Sequence, residues 1–316
     1  MIISTRRRAP FLASPAFVLS LLAIGLAASP ATARDVRACQ ALEQRYLQIK
    51  AAASSAERNS LLFSTSKQDC ASLATQLLTD GASVDARDRL GNMPLAMAAS
   101  HGHVEIVKQL LEFKAPVNAR NLEASSALFL ATENEHRVAA DVLLAAGADP
   151  NIPGRSGLSA ISAAAYTGNA ELVALLLAKG ANPKALDATG KSAIVYAAGR
   201  GFAPVVKLIL DHGIDVNARL ASDLTVLMWA AGHSDEAGAA DVKETIELLT
   251  ARGARVDDVD DRGRTALMTA AVLGRTTAAE TLVKAGADVS LKDKSGKSAA
   301  DLASDDAMLS VLASAK

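Results

Sequence analysis

The stretch "GNMPLAMAASHGHVEIVKQLL", from Gly91 to Leu111, decides the fold of this chain of 316 residues. Its first half carries apolar and small residues at helical spacing, and its second half is apolar at positions i, i+3 and i+4. Gly102 stands between the two halves, and a glycine inside a helical pattern often marks a break. The stretch therefore predicts two short helices joined by a tight turn.

The same pattern recurs along the chain at a fixed interval. Consecutive units start 33 residues apart, except for one interval of 40. Repetition with a period of this size is typical of solenoids, in which stacked units share one core. The unit starts are Ser55, Asp88, Asn121, Gly154, Asp187, Leu220, Asp260 and Asp293.

Each recurring position has a physical reason. Most units open with Asp or Asn, which bond their own backbone in turns, and a glycine suited to positive φ follows three residues later. Hydroxyl residues then cap the first helix, namely Ser126, Ser159, Ser192, Thr225 and Thr265. Alanine pairs such as Ala197 and Ala198 let neighbouring helices approach closely. A glycine such as Gly180 ends the second helix, where left-handed backbone is needed.

In these positions the chain resembles the ankyrin-repeat family, over residues 55–316. The resemblance implies an all-α solenoid of helix-turn-helix units with β-hairpin-like turns, capped at both ends. Residues 34–54 are predicted to form the N-terminal capping helix, and residues 301–316 close the other end. The resemblance also implies that a partner protein binds along the concave groove of the stack.

Some positions depart from the family's pattern. The Thr-Pro-Leu-His tetrapeptide is nowhere complete, and Pro94 is its only proline. Lys114 replaces the glycine that ends a second helix, and Glu135 replaces the glycine between two helices. We therefore expect the unit that starts at Asn121 to be the most irregular.

The N-terminus has the order of a secretory signal peptide. Three arginines (Arg6, Arg7 and Arg8) precede an apolar run at residues 16–28, and Ala31 and Ala33 form a small-x-small cleavage site. The alternative is a membrane anchor, but a span needs roughly 20 apolar residues. Residues 1–33 are thus predicted to be removed, which places the mature protein in the periplasm, without stable membrane insertion.

The charge of the mature chain argues against nucleic acid as the partner. Removal of residues 1–33 leaves 30 basic and 34 acidic residues, a net charge of −4. A mildly acidic chain without a basic stripe binds phosphate backbones poorly. The predicted partner is therefore a protein, and the chain itself is predicted to be a monomer.

The two cysteines, Cys39 and Cys70, both lie near the start of the exported part. In an oxidising compartment such a pair indicates a disulfide, which would tie the capping helix to the first repeat. Two buried free thiols are the alternative.

Reactive groups do not converge in the sequence. The chain lacks the common hydrolase, zinc-protease and phosphate-binding motifs. His101 and His103 resemble half a metal site, but a Gly-His pair is an ordinary turn of this repeat. We expect no catalytic residues, no metal and no cofactor, and hence a non-enzymatic protein.

The repeat register places a set of side chains on turn tips and on the exposed face of the first helices. Tyrosine and arginine dominate the energetics of many interfaces. Trp229 is either packed between helices or an exposed binding residue. The expected partner-binding residues are Leu90, His101, Arg120, Leu158, Tyr166, Arg200, Arg219, Leu224, Trp229, His233, Asp235 and Glu236, and the register also places Asn92, Lys191 and Arg264 there.

The long unit carries seven extra residues between Ala231 and Val242. The segment "GHSDEAGAAD", residues 232–241, is polar and acidic, which predicts a longer connection at the rim of the groove rather than more core. Loops tolerate insertion at little cost, so neutral drift is the alternative to partner contact.

Three functions fit these features. The chain resembles exported bacterial ankyrin-repeat proteins, whose implied role is to hold or protect another envelope protein. The alternatives are an immunity protein that inhibits an envelope-targeting toxin, and an effector secreted beyond the cell.

Overall fold

The structure, a computed structural model, describes residues 30–232, 237–303 and 305–314. These residues form helices and turns without a β-strand, so the expected all-α class is confirmed. The helices are α1 (Pro30–Ile49), α2 (Ser55–Gln68), α3 (Ala71–Thr79), α4 (Pro94–Ser100), α5 (Val104–Glu112), α6 (Ala127–Glu133), α7 (Arg137–Ala145), α8 (Ala160–Thr167), α9 (Ala170–Ala178), α10 (Ala193–Gly199), α11 (Ala203–Asp211), α12 (Val226–Ala231), α13 (Ala239–Ala251), α14 (Ala266–Val272), α15 (Thr276–Lys284), α16 (Ala299–Leu302) and α17 (Asp306–Ala313).

Helices α2 to α17 form two layers. Each first helix of a unit packs against the first helices of its neighbours, and each second helix packs against second helices. The alanine pairs explain the close approach, because Ala197 and Ala198 of α10 are fully buried. One continuous core runs from Tyr46 of α1 to Leu312 of α17.

The hydroxyl caps form as expected, with one exception. The side chains of Ser126, Ser159, Thr225 and Thr265 accept backbone N–H bonds of the first turn, which satisfies a donor that the helix leaves free. Ser192 occupies the same position before α10 but makes no side-chain cap bond, so the prediction is wrong there.

The glycines between paired helices serve two purposes. Gly102 lies at the predicted break with a φ of +72°, and a Cβ built on it would lie 2.6 Å from the ring of His136 in the next unit. Gly168 repeats the arrangement with Phe202, at 2.8 Å. Glycine is therefore required both by backbone conformation and by close contact between units.

The expectation that the unit starting at Asn121 is the most irregular is wrong. Helices α6 and α7 have the same lengths as α4 and α5, 7 and 9 residues. Lys114 and Glu135 adopt φ values of 67° and 62° in place of glycine. The packing of the stack imposes the left-handed conformation, and the side chains accept it at a local cost in free energy.

The long unit departs most from the others. Helix α13 has 13 residues, compared with 9 in most second helices, and it begins at Ala239. The expectation of a longer connection alone is wrong, because the extra residues also form an added helical turn. Alanine has the highest helix propensity, and Asp241 interacts favourably with the helix N-terminus. Val242 in this turn is buried, so the extension also adds core.

The N-terminal cap is fixed to the first unit. Cys39 and Cys70 form the expected disulfide, with 5.3 Å between their Cα atoms. Tyr46 is buried and donates a hydrogen bond of 2.6 Å to Asp80. Burial and this bond raise the pKa of Tyr46 to about 12. The capping helix thus contacts the repeats through a covalent bond and a buried phenol.

Helix α1 starts at Pro30, so the predicted cleavage point after Ala33 falls in its first turn. Residues 1–29 of the predicted signal peptide lie outside the described residues. Within the described ranges, no helix has the length and apolar character needed to cross a membrane.

Candidate functional site

The first helices of the central units share one partly exposed face. Residues three apart on a helix lie side by side, so each of these helices presents two positions on the side away from the second helices. We call this surface the groove face. Its partly exposed residues are Leu130, Glu133, Tyr166, Tyr196, Gly199 and Trp229, and Ala163 is a buried member.

Aromatic rings form a row on the groove face, which we call the aromatic row: Tyr166, Tyr196 and Trp229. The rings of Tyr166 and Tyr196 meet edge to face, with 5.9 Å between their centroids. The Lys191 Nζ atom lies 5.9 Å from the centroid of Tyr196 and 5.3 Å from that of Trp229, and so joins the two rings. The guanidinium of Arg200 lies 4.4 Å from the centroid of Tyr166. The row therefore crosses three consecutive units.

An open hollow of about 350 Å³ adjoins the row. A salt bridge of 2.7 Å between Arg155 and Glu133 closes one side, and burial raises the pKa of the Glu133 carboxyl. The hollow is lined by Glu133, Arg155, Leu158, Ala163, Tyr166, Thr167 and Tyr196.

Tyr196 is held in place by the turn before its own helix. Its hydroxyl donates a hydrogen bond to Asp187, and burial followed by this bond raises the pKa of Tyr196 to about 12. Burial alone would raise the pKa of Asp187, but bonds from Tyr196, Thr189 and the Lys191 backbone hold it below its usual value. The central ring of the row is thus fixed before any ligand arrives.

Trp229 is half-buried, and its ring packs against the core on one side. The ammonium of Lys191 lies over the ring on the other side. Its indole Nε1 is buried without an acceptor among the described residues. Trp229 therefore packs between units and also contributes to the groove face, and its role in binding stays a prediction.

The structure brings four of the expected binding residues together. Leu158 lines the hollow, Tyr166 is 49% exposed beside it, and Arg200 and Trp229 adjoin the aromatic row. Leu224, in contrast, is half-buried and packs against the core.

Two expected binding residues brace turns. An Arg219 guanidinium nitrogen donates to the carbonyl oxygens of Asp223 and, at 2.8 Å, of Val259 in the next unit. Arg120 Nε donates to the carbonyl oxygen of Ala124, also at 2.8 Å. These arginines account for part of the order of the turns.

The remaining expected residues lie away from the aromatic row. Leu90 is 59% exposed, and its carbonyl oxygen accepts a bond from Leu122, which is 79% exposed at the next turn. His101 is exposed, and its Nδ1 lies 2.9 Å from the Met97 carbonyl oxygen of the same helix. His233, Asp235 and Glu236 lie outside the described residues.

Sequence reasoning missed Tyr196, Glu133 and Arg155. Tyr196 stands nine residues after its unit start, the position that Trp229 occupies in the next unit. This equivalence with Trp229 could have identified Tyr196 as a residue of the site from the sequence alone. Glu133 and Arg155 lie in different units, and their ion pair has no local sequence signature.

Across residues 30–232, 237–303 and 305–314, no three His, Cys, Asp or Glu side chains meet in a way that could hold a metal ion. The hollow contains one carboxylate, paired with arginine. The site therefore offers aromatic, apolar and cationic contacts for recognition.

Comparison with known proteins identifies the repeat. A family model described as ankyrin repeats, in three copies, matches residues 61–154, 160–240 and 220–293. No curated protein matches the chain. The matched segments together span most of the sequence, including every helix of the aromatic row.

Proposed function

The chain belongs to the ankyrin-repeat family, and on that premise we propose that its groove face holds a partner protein in the bacterial periplasm. Ankyrin repeats indicate a protein-protein interaction module, and such proteins are in general not enzymes. The proposal adds the binding surface and the compartment.

The aromatic row is the observation that carries the choice of surface. Aromatic residues make up only 3% of the chain, yet three of them meet on one face with two cations over their rings. Partly exposed aromatic and arginine side chains in a packed setting are typical of binding hot spots. The hollow beside the row gives a partner side chain room to enter.

Photocrosslinking from chosen positions tests the surface. A photoreactive side chain at Gly199 would face the groove, because a Cβ built there meets only the Trp229 carbonyl oxygen, at 3.9 Å. The matched control is Lys207 on α11, an exposed residue of the layer of second helices. We expect a specific adduct from Gly199 in cells and none from Lys207. Adducts from Lys207 alone would place the interface on the opposite layer.

Trp229→Ala and Gly199→Leu test the same surface by loss of binding. We expect each to lower partner capture at least tenfold, a difference of about 1.4 kcal/mol. Gly199→Leu fills the groove without removing a core contact, so its unfolding midpoint should stay near that of the wild type. Full capture by Gly199→Leu would exclude this part of the groove.

The extra residues of the long unit are part of the proposal. Deleting residues 234–240 restores a unit of 33 residues and keeps the buried Val242. We expect capture to fall tenfold while the free energy of unfolding changes by about 1 kcal/mol or less, because the other units join their two helices without these residues. Unchanged capture would identify the insertion as drift.

The compartment rests on the signal pattern of residues 1–33. N-terminal sequencing of protein from the periplasmic fraction should start at Arg34, directly after the small-x-small site. An intact Met1 in that fraction would contradict the proposal.

A further inference from the structure

Lys191 occupies a position whose side chain, in two other units, bonds to the following unit. It stands four residues after its unit start, like Asn92 and Arg264 in their units. Asn121, the first residue of the next unit, donates to the side-chain oxygen of Asn92 at 2.8 Å. Arg264 likewise donates to Asp293 at 3.3 Å. In these two units the polar group of this position meets a polar group at the start of the following unit.

The unit after Lys191 starts with Leu220, where most units have Asp or Asn. Leu220 packs against the core and offers no carboxylate. Asp187, at the start of the lysine's own unit, is bonded to Tyr196, to Thr189 and to backbone N–H groups. In the described part of the chain, the Lys191 ammonium has no ion-pair partner.

The surroundings of this ammonium favour a carboxylate ligand. The faces of Tyr196 and Trp229 hold the charge by cation–π attraction and shield it from water. A charge-assisted hydrogen bond gains strength where water is partly excluded. The backbone N–H of Lys191 donates to Asp187, which fixes the base of the side chain. A carboxylate from outside would therefore find a positioned cation.

Lys191 selects the acidic group of the ligand, and the hollow selects its apolar side chain. Tyr196 lines the hollow and also lies under Lys191, so the two features share one ring. Leu158, Ala163 and Tyr166 give the hollow apolar contacts. A ligand that reaches both features must carry its acidic group and its apolar side chain close together.

We infer that the partner enters the groove with a segment in which Asp or Glu stands within a few residues of a bulky apolar residue. Its carboxylate pairs with Lys191 in place of the missing acidic residue at position 220, and its apolar side chain fills the hollow. This inference rests on the proposed groove binding and names the chemistry of the partner.

A displayed library of random dodecapeptides tests the inference without knowledge of the partner. The library is selected in parallel on the purified wild-type chain and on Lys191→Gln, Lys191→Arg and Lys179→Gln. Lys179 is the matched control because it is an exposed lysine at the end of α9. Wild type, Lys191→Arg and Lys179→Gln should enrich Asp or Glu beside an aromatic or aliphatic residue. Lys191→Gln should lose the acidic enrichment.

Trp229 is the only tryptophan, so its emission reports occupancy of the row. The strongest selected peptide should shift this emission saturably, and its Asn or Gln counterpart should need at least a tenfold higher concentration. Equal affinity of the two peptides, or the same residue enrichment on Lys191→Gln and wild type, would overturn the inference. The photocrosslinking experiment at Gly199 tests groove binding itself, independently of these peptide measurements. Unfolding midpoints of all variants exclude misfolding.

Discussion

The two sides of α10 follow different rules. On the buried side, Ile194, Ala197 and Ala198 match the residues of nearly every other first helix, and they are fully buried. On the groove side, Tyr196 and Gly199 have counterparts that change from unit to unit. The repeated side packs the stack, and we propose that the variable side binds the partner. A substitution should therefore affect stability or binding according to the side on which it falls.

The strongest test of this division compares two residues of α10. Ile194→Ala should lower the free energy of unfolding by about 2–5 kcal/mol, because it opens a cavity in the core. Gly199→Ala should raise it by up to about 1 kcal/mol, because alanine favours the helix and the added methyl has room. Denaturant unfolding measures both. Similar losses from the two variants would abolish the distinction between the sides.

One buried residue departs from the family's pattern and allows a second test of the comparison. Phe129 is buried where the family has histidine, and Gly154 starts the next unit. A Cβ at Gly154 would lie 2.5 Å from the Phe129 ring, so Gly154→Ala should cost about 1–3 kcal/mol through overpacking. In a Phe129→Ala background the same change should cost much less. Additive losses would mean that the ring does not dictate the glycine.

A smaller change in stability is expected at positions where the backbone conformation alone decides, without side-chain contacts. Lys114 has a φ of 67° just after the second helix of its unit, whereas Gly147 has 89° at the equivalent position and open space around it. Lys114→Gly should stabilise the protein by about 1 kcal/mol or less, and Gly147→Lys should destabilise it by a similar amount. Thermal unfolding measures both. A loss from Lys114→Gly would show that the lysine side chain contributes to stability.

The smallest expected effect is a loss of stability at acidic pH. Bonds from Ser295 and the Lys297 backbone lower the pKa of Asp293 from 3.8 to about 2. This carboxylate stabilises the fold above about pH 4, and its contribution is lost as pH falls towards 2. Unfolding midpoints between pH 5 and 2 should fall more steeply for the wild type than for Asp293→Asn. Parallel curves would assign the loss to other carboxylates.

The repeated features could be predicted from the sequence because each follows from a local preference that recurs in nearly every unit. The helices of the Asp88 unit, the alanine contacts and the positive φ of Gly91 are of this kind. The disulfide was also predictable, since the chain has only two cysteines.

The site was less predictable, because its parts come from different units. Trp229 and Tyr166 were identified one by one, but their connection through Tyr196 and Lys191 depends on side-chain directions across three helices. Arg219 was expected to bind a partner because arginine is common at interfaces. Its guanidinium instead donates to the carbonyl oxygen of Val259, 40 residues further along the chain.

The disulfide of the N-terminal cap also has a consequence for the order in which the protein takes shape. Cys39 and Cys70 both precede the unit that starts at Asp88, so the bond between them needs no residue of a later unit. The bond can therefore close while every later unit is still unfolded. Stacked repeats grow by adding neighbours to a unit that is already ordered. A covalently closed first unit gives this growth a starting point and a direction, from α2 towards α17.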